Sequence, residues 1–260
     1  MLTIAKSGLN AAMHELKVVS NNVANASSTG FKASRSNFAD IYAVASDGRP
    51  QIDRGYGTRI MDSQRSHIQG SLIETGGALD VAINGEGMFA VRRPETPEDL
   101  QFTRNGAIQM TLDGKLVSGD GHEFLSTNLE PITIPFSVED ANGRFRRLSQ
   151  ITVENDGMVK ASYGQGVDFN LAKLGMGLFP DESKLAADGS NYFRASPGSG
   201  APEIVAPLGV RSGVLEPGFL EAANVDITSV LNLMIRAQHA FSGASRLMQS
   251  EVEIVRKFTG

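Results

Sequence analysis

Four histidines are the side chains of this sequence best suited to bind a metal ion or to transfer protons. They are His14, His67, His122 and His239. A helical zinc site usually places two histidines four residues apart, as in the HExxH pattern. These four lie far apart in the chain and none has that spacing. We therefore expect structural or surface roles for them, and we predict no metal-binding residue.

The other motifs that could hold a substrate or a cofactor are incomplete. Residues 85–87 (Gly-Glu-Gly) follow a predicted strand but lack the third glycine and the lysine of a phosphate-binding loop. Glu95, Glu98 and Asp99 lie in a proline-containing polar segment, where solvated carboxylates are the simpler interpretation. The absence of cysteine excludes disulfides, thiol catalysis and cysteine-ligated metals. The sequence thus predicts no catalytic residue, no cofactor and no small-molecule substrate, so we do not expect an enzyme.

Composition narrows the class of protein further. The chain has 260 residues, of which 41% are hydrophobic and 20% charged, as expected for a globular body with a real core. Its net charge of −5 argues against nucleic-acid binding. Because no apolar run approaches the roughly 20 residues of a membrane span, we expect a protein that does not cross a membrane. The amphipathic N-terminus lacks the apolar region of a cleavable signal peptide, which leaves either a cytoplasmic location or export by another route.

The two ends of the chain carry the same apolar pattern, with spacings of three and four residues. This pattern is typical of a coiled-coil seam and predicts one helix at each end. The N-terminal set is Leu2, Ala5, Leu9, Ala12, Leu16, Val19 and Val23, and the C-terminal set is Val230, Leu233, Ala237, Ala240, Ala244, Leu247 and Ile254. Phe241 widens the C-terminal stripe beyond what one partner helix covers. We predict that the two helices pair and also contact neighbouring copies, although a simple helical hairpin within one chain is the alternative.

The middle of the chain has a different period. From about residue 70 to residue 216 short alternating runs are separated by turn dipeptides such as Asn84-Gly85 and Asp156-Gly157, which are strong hairpin signals. The predicted fold class is therefore α+β, with paired terminal helices and a central antiparallel β barrel or sandwich. The predicted divisions are an N-terminal helical part over 1–30, an extended arm over 31–69, a β domain over 70–216, a connector over 217–225 and a C-terminal helix over 226–260.

Several motifs together resemble the bacterial flagellar rod and hook proteins. Residues 21–25 (NNVAN) and 29–32 (TGFK) look like the N-terminal signature of that family, and 79–89, 102–106 and 113–117 match its central part. Residues 212–216 and 224–226 match its C-terminal part, so the motifs cover nearly the whole chain in the family's order. The residues of this chain that carry the motif at its two ends are Asn21, Asn22, Asn25, Gly30, Phe31 and Asn224.

The resemblance implies a structural subunit of the flagellar basal body. In that family the terminal helices line the inner tube of a hollow helical assembly and the β body lies outside them. The subunits pass through the flagellar type III export apparatus without a cleaved signal peptide, and rod polymers stand in the periplasm as a drive shaft. The implied partners are other copies of the chain, other rod and hook proteins, and the export apparatus.

The subtype and two other classes of protein stay open at this stage. We favour a rod subunit of the proximal type, because 260 residues leave little room for the outer domain of hook subunits. The segment from Phe31 to Gly70 also lacks the longer polar extension typical of distal-rod subunits, although residues 36–40 look somewhat hook-like. A distal-rod or short hook-type subunit is the next alternative. A monomeric β-domain binding or adaptor module, or an enzyme, would belong to a different class.

Overall fold

The computed structural model of the protein describes residues 2–42, 55–96, 98–139, 144–164 and 168–259, with Leu2, Tyr42 and Thr259 described by their backbone alone. These residues form two compact units. The first, here called the helical unit, comprises residues 1–26, 33–66 and 225–260, and the second, the β unit, comprises 27–32 and 67–224. None of the helices in the described ranges is long and apolar enough to span a membrane.

The helical unit contains two long helices and four short strands. Their bounds are α1 Leu2–Ala24, β1 Ser34–Arg35, β2 Phe38–Tyr42, β3 Gly55–Ile60, β4 Gln64–Arg65 and α2 Ile227–Thr259. Strand β1 pairs antiparallel with β4, and β2 pairs antiparallel with β3. The segment predicted as an extended arm therefore contributes paired strands that belong to the same unit as the helices.

Helix α1 ends two residues earlier than the apolar periodicity does. The apolar pattern extends to Ala26, but the helix ends at Ala24. The side chain of Asn25 donates a hydrogen bond to the carbonyl oxygen of Asn21 at 2.9 Å, and the Ala26 amide donates to the Val23 carbonyl at 3.2 Å. Asparagine competes for backbone partners in this way, which is why it favours helix ends.

Helix α2 begins where a carboxylate caps its first turn. Asp226 accepts a hydrogen bond from the backbone amide of Thr228 at 3.2 Å and another from the Ser229 hydroxyl. The Val230 amide donates to the Asp226 carbonyl at 3.0 Å, which starts the helical hydrogen-bond pattern. Asp226 is therefore the N-cap residue.

Close packing of β3 on α1 requires a glycine. Gly57 has a φ of +110°, and a Cβ there would lie 2.2 Å from the Ser7 hydroxyl oxygen. The same hydroxyl accepts a hydrogen bond from the Thr58 amide at 3.2 Å. The backbone of β3 is thus held close to α1 by the Ser7 side chain.

The β unit consists of short strands from β5 to β21. Their bounds are β5 Leu72–Glu74, β6 Val81–Asn84, β7 Met88–Arg92, β8 Leu100–Thr103, β9 Ile108–Met110, β10 Leu116–Ser118, β11 Glu123–Phe124, β12 Ser137–Glu139, β13 Phe145–Val153, β14 Met158–Tyr163, β15 Asp168–Lys173, β16 Met176–Leu178, β17 Ala186–Gly189, β18 Tyr192–Arg194, β19 Glu203–Val205, β20 Val214–Pro217 and β21 Phe219–Glu221. A 3-10 turn spans Glu182–Lys184. The predicted turn glycines Gly85 and Gly157 have φ values of +115° and +79°.

The sheets of the β unit are antiparallel and open. A nine-stranded sheet has the order β17-β18-β8-β7-β11-β10-β9, with β16 joined to β7 and β19 joined to β16. A second sheet has the order β12-β13-β14-β15, and two further pairs join β6 to β20 and β5 to β21. The main sheet ends at β17 on one side and at β9 on the other, and these two strands do not pair with each other. The predicted barrel is therefore not closed among the described strands.

Aromatic and branched side chains fill the core of the β unit. Phe89 and Phe124 are fully buried and meet edge to face, with ring centroids 5.8 Å apart. Phe102 and Phe179 form a second edge-to-face pair at 4.7 Å. This arrangement is favourable for aromatic rings and supplies large apolar area. The β unit therefore has a packed core of its own.

Candidate assembly surface on the terminal helices

The two terminal helices pack against each other within the helical unit. Four of the predicted seam residues are buried: Ala12, Val19, Val230 and Ala237. Ala237 is the most completely buried, with 1% of its surface exposed. Small side chains at such positions allow close approach of the helix backbones, so the buried part of the seam is both apolar and tight.

The other predicted seam residues are less completely covered. Those that are partly buried are Ala5, Leu9, Leu16, Val23, Leu233, Phe241 and Ala244. Ala240, Leu247 and Ile254 are exposed, and the side chain of Leu2 lies outside the described residues. Leu247 keeps 64% of its surface exposed. The pairing of α1 with α2 thus covers only part of the apolar pattern.

Helix α2 also presents apolar residues that the heptad interpretation missed. Ile227, Leu231 and Ile235 recur every four residues, and between 44% and 53% of the surface of each is exposed. Their spacing of four was the available signal, but it lies outside the chosen seam positions. These three residues form what is here called the outer apolar face of α2, whereas Leu247 and Ile254 lie on another side of the helix, because each residue turns an α-helix by about 100°. Exposed apolar patches of this kind mark contact sites for other proteins.

An apolar groove lies beside this face within the helical unit. It has a volume of about 420 Å³ and is lined by Ile4, Ala5, Gly8, Ala240, Ala244, Leu247 and Glu251. The groove exists because the residues along its floor are alanine and glycine, which leave space between the helices. Four of the predicted seam residues, namely Ala5, Ala240, Ala244 and Leu247, therefore line an open groove.

The asparagines of the N-terminal motif have different surroundings. Asn22 is buried, and its amide group donates to the Ser34 carbonyl at 2.8 Å while its oxygen accepts from the Ser34 amide at 2.9 Å. This pair of bonds ties the end of α1 to β1. Asn21 is exposed, and Asn25 bonds back to the Asn21 carbonyl. Asn22 thus has an internal partner.

The remaining motif residues lie in the β unit. Phe31 and Gly30 are buried, and Gly30 has a φ of +67°. A Cβ at Gly30 would lie 2.7 Å from the backbone nitrogen of Asn105. The side chain of Asn224 donates to the Ile68 carbonyl at 2.8 Å. These residues hold backbone segments together.

We expect the substitution Asn22→Ala to lower the free energy of unfolding by about 1–3 kcal/mol, because it leaves the buried amide and carbonyl of Ser34 without their partners. Asn21→Ala is the matched control, since Asn21 is exposed in the same turn of α1. It should change stability by less than about 0.5 kcal/mol. Urea unfolding of both variants measures this. Equal effects would mean that the pair of bonds to Ser34 has no special role.

Comparisons with known proteins connect these features with a family. The N-terminal residues 2–32 match the family model described as flagella basal body rod protein. Residues 82–161 match the flagellar hook protein FlgE/F/G D1 domain, and residues 216–257 match the flagellar basal body rod FlgEFG protein C-terminal model.

Curated relatives match over nearly the full length. The flagellar basal-body rod protein FlgG of Agrobacterium fabrum is 31% identical over 269 residues, which cover 97% of this chain and 95% of that protein. The FlgG protein of Buchnera aphidicola subsp. Baizongia pistaciae is also 31% identical, with coverage of 99% and 98%. The chain belongs to the flagellar basal-body rod protein family. The FlgF rod protein of Caulobacter vibrioides is 30% identical over 247 residues, which cover 93% of this chain and 89% of that protein.

Membership in this family establishes the broad function. The chain is a structural subunit of the rod of the flagellar basal body, and it is not an enzyme. As a member of the family it assembles with other rod and hook proteins. The described residues contain no group of three or more histidine, aspartate or glutamate side chains placed to hold a metal ion.

The histidines of this rod protein make separate contacts. His14 shares a hydrogen bond with the Ser63 hydroxyl at 3.0 Å, and His239 is exposed on α2. His67 lies edge to face against Phe193, with ring centroids 5.1 Å apart. His122 stacks on Tyr192 at 4.0 Å.

The surroundings of His122 couple stability to pH. Burial, and secondly the charge of Arg93, lower the pKa of His122 below its ordinary value. The Arg93 Nε group donates to the ring Nε2 of His122 at 3.2 Å, which requires the neutral ring. Below a pH of about 6.5 the unfolded chain therefore binds a proton that the folded chain resists. The stability that His122 contributes is present above this pH and is lost as the pH falls towards the lowered pKa.

We expect His122→Gln to make stability less dependent on pH between about pH 7 and pH 5. One proton changes the free energy of unfolding by at most about 1.4 kcal/mol per pH unit. The slopes of the variant and of the unmodified protein should therefore differ by no more than this amount. Chemical unfolding at several pH values measures both slopes. His239→Gln, at an exposed site on α2, should leave the slope unchanged. A His122→Gln slope identical to that of the unmodified protein would show that the burial of this ring is not coupled to pH.

Proposed function

We propose that this rod protein polymerises helically through its terminal helices, and that the resulting hollow shaft transmits torque and forms part of the export channel. The observation that carries the proposal is the apolar surface that α2 leaves exposed, both on its outer apolar face and along the groove. Ile235 and Leu247 keep 51% and 64% of their surfaces exposed although α2 is already paired with α1. Neighbouring subunits would remove this apolar surface from water, which is favourable in proportion to the area buried.

The pairing of α1 with α2 is proposed to be a short coiled coil. Support comes from the regular spacing of the buried residues Ala12 and Val19 on α1 and of Val230 and Ala237 on α2. Seven residues separate each pair, as in a heptad. Their small size would let subunits pack densely around a channel. We further propose that the predicted seam residues act in assembly, and that the terminal helices and the β domain form the inner and outer layers of the rod.

A contact of this type produces a filament when it does not close on itself. The groove and the outer apolar face of α2 are different surfaces of one subunit, so a contact that joins one to the other is heterologous. Repeated heterologous contacts with a rise along the axis produce an open helix rather than a closed ring. Helical growth is therefore the expected form of assembly.

The location and the subtype are part of the same proposal. The resemblance of the sequence motifs to flagellar axial proteins supports a rod that stands in the periplasm and subunits that pass through the flagellar type III export apparatus without a cleaved signal peptide. The proximal-rod subtype remains our preferred prediction, with distal rod next. The relatives include both FlgG and FlgF proteins. A reconstruction that locates this subunit along the rod would decide between these subtypes.

Single cysteines provide the experiment, because the natural chain has none. In the unassembled protein, Leu247→Cys should react readily with a maleimide, since Leu247 is largely exposed. Assembly should slow this reaction by at least about tenfold, as expected for a side chain that becomes buried. Leu112→Cys is the control, because Leu112 is 96% exposed in the β unit and should stay reactive in both states. Equal reactivity of Leu247→Cys before and after assembly would contradict the proposal.

A further inference from the structure

Three charged side chains are almost fully buried together in the β unit. The side chains of Lys32, Glu221 and Arg104 have 0%, 1% and 3% of their surfaces exposed. Lys32 Nζ donates to Glu221 Oε1 at 2.7 Å, and Arg104 Nη1 donates to Glu221 Oε2 at 3.4 Å. Glu221 therefore uses each carboxylate oxygen for a different cation. Nothing in the assembly surface on the helices requires these charges.

Backbone segments that are distant in sequence meet at this carboxylate. Glu221 Oε1 also accepts from the Gly70 amide at 2.8 Å, and the Glu221 carbonyl accepts from the Gly30 amide at 2.8 Å. Lys32 Nζ donates to the Ile68 carbonyl at 2.9 Å. Glu221 thus joins residues 27–32 and 67–70 to the end of β21, although 189 residues separate it from Lys32.

The same segments approach one another too closely for ordinary side chains. A Cβ at Gly70 would lie 2.1 Å from the Ala222 carbonyl oxygen. The Asn224 amide donates to the Phe31 carbonyl at 3.3 Å. Each segment is adjacent in sequence to a point where the chain passes between the β unit and the helical unit, namely after residues 26, 32, 66 and 224. The cluster therefore lies where the connections to the terminal helices leave the β unit.

Holding these segments together with buried charges costs free energy, because each charge loses its hydration. Burial lowers the pKa of Lys32, and the neighbouring carboxylate of Glu221 opposes this effect. Apolar side chains of similar size would often stabilise such a site equally well, whereas loss of one partner leaves an uncompensated buried charge. Any arrangement that separates buried ionic partners is costly, which makes such a cluster suited to selecting a position.

We propose that Lys32, Glu221 and Arg104 form a positioning lock, which seats residues 27–32 and 67–70 in the β unit only when residues 219–224 are in place. Glu221 is the central residue, because it alone contacts both cations and both segments. The N-terminal segment would thus become fixed after the chain is complete up to the start of α2. The lock serves the proposed function by fixing the attachment of the helices, but it is a property of the unassembled subunit.

Native-state hydrogen exchange of the full-length, unassembled protein tests the lock. The probes are the amides of Gly30, Gly70 and Asn224, which bond across the three segments. In Glu221→Gln their exchange should accelerate by at least about tenfold, because the segments open locally. The amides of Ala90 and Leu125, which bond within the sheet core, should be unchanged. Uniform acceleration at all five amides would indicate a general loss of stability and would overturn the proposal, as would no acceleration.

Two further variants keep the test decisive. Glu123→Gln is the matched control, because Glu123 is also a buried carboxylate between two cations, Lys115 and Arg92. It should leave the Gly30 and Gly70 amides unchanged, and an effect there equal to that of Glu221→Gln would contradict the lock. If the single variant Glu221→Gln fails to fold, the double variant Lys32→Met/Glu221→Gln takes its place. It also removes the Lys32 ammonium group, which the single variant leaves unpaired. Fast exchange at the lock amides in this double variant supports the proposal, and protection equal to that of the unmodified protein refutes it.

This result is independent of polymerisation. The exchange is measured below the concentration at which the protein assembles, so a subunit that never polymerises would still show the lock. Conversely, a rod subunit whose helices assemble as proposed could exchange uniformly in Glu221→Gln, and then the lock alone would be wrong.

Discussion

Replacement of Leu247 by aspartate is expected to raise the concentration required for polymer formation by about a thousandfold. Leu247 is largely exposed on α2 and lines the apolar groove. The loss of a buried leucine costs about 2 kcal/mol, and a carboxylate in an apolar contact costs at least about as much again. The isolated subunit should keep its fold, because 64% of this side chain is already exposed to water.

Sedimentation of the polymer over a range of protein concentrations measures this effect, with circular dichroism as the check on the fold. Gln249→Asp is the matched control, because it introduces the same charge at an exposed polar position two residues away on α2. It should assemble within a few-fold of the unmodified protein. Normal assembly of Leu247→Asp would show that Leu247 is not part of the contact surface.

Gly106→Ala is expected to lower the free energy of unfolding by about 3 kcal/mol or more. A Cβ at this position would lie 1.7 Å from the carbonyl oxygen of Val81 and 3.0 Å from the ring of Phe89. Both neighbours are fully buried, and the Gly106 carbonyl accepts a hydrogen bond from the Val81 amide at 3.0 Å. The backbone therefore has no direction in which to move without breaking the core of the β unit.

Thermal or urea unfolding of the two glycine variants gives the comparison. Gly119→Ala is the control, because no atom lies within 4 Å of the position that its Cβ would take. That substitution should be neutral, or stabilising by up to about 1 kcal/mol, because alanine restricts the unfolded chain. A Gly106→Ala protein as stable as Gly119→Ala would mean that the two backbone segments can separate at low cost.

The sequence pattern was informative wherever the cause of structure was local. The apolar spacing predicted both terminal helices. The dipeptide Asp156-Gly157 predicted a hairpin correctly, because it joins the paired strands β13 and β14. Asn84-Gly85 joins β6 and β7, which do not pair with each other, although both glycines have positive φ. Where the prediction was correct, a few neighbouring residues determine the outcome.

Features that depend on residues far apart in the sequence could not be predicted from such local patterns. The order of strands in the main sheet places β7 between β8 and β11, and β16 also pairs with β7. No local signal in the sequence selects these neighbouring strands. The barrel, which was one of the two predicted forms of the β domain, is not closed among the described strands. The burial of Lys32 against Glu221 was equally invisible, because an isolated lysine or glutamate in a sequence is usually solvated.

The candidate assembly surface was predictable in part. The heptad residues Val230 and Ala237 are buried against α1, but Leu247 and Ile254, which have the same periodicity, are exposed. A heptad pattern identifies apolar positions on a helix, and it does not state which partner covers each one. The distinction between covered and uncovered heptad positions therefore required the observed packing of α1 on α2.

Electron cryomicroscopy of basal bodies or filaments that contain this protein tests the role of the terminal helices most directly. We predict that α1 and α2 lie on the inner wall of the tube, and that Ile235 and Leu247 contact helices of neighbouring subunits. A rod in which adjacent copies meet only through their β units, with the outer apolar face of α2 still exposed to solvent, would contradict assembly through the terminal helices.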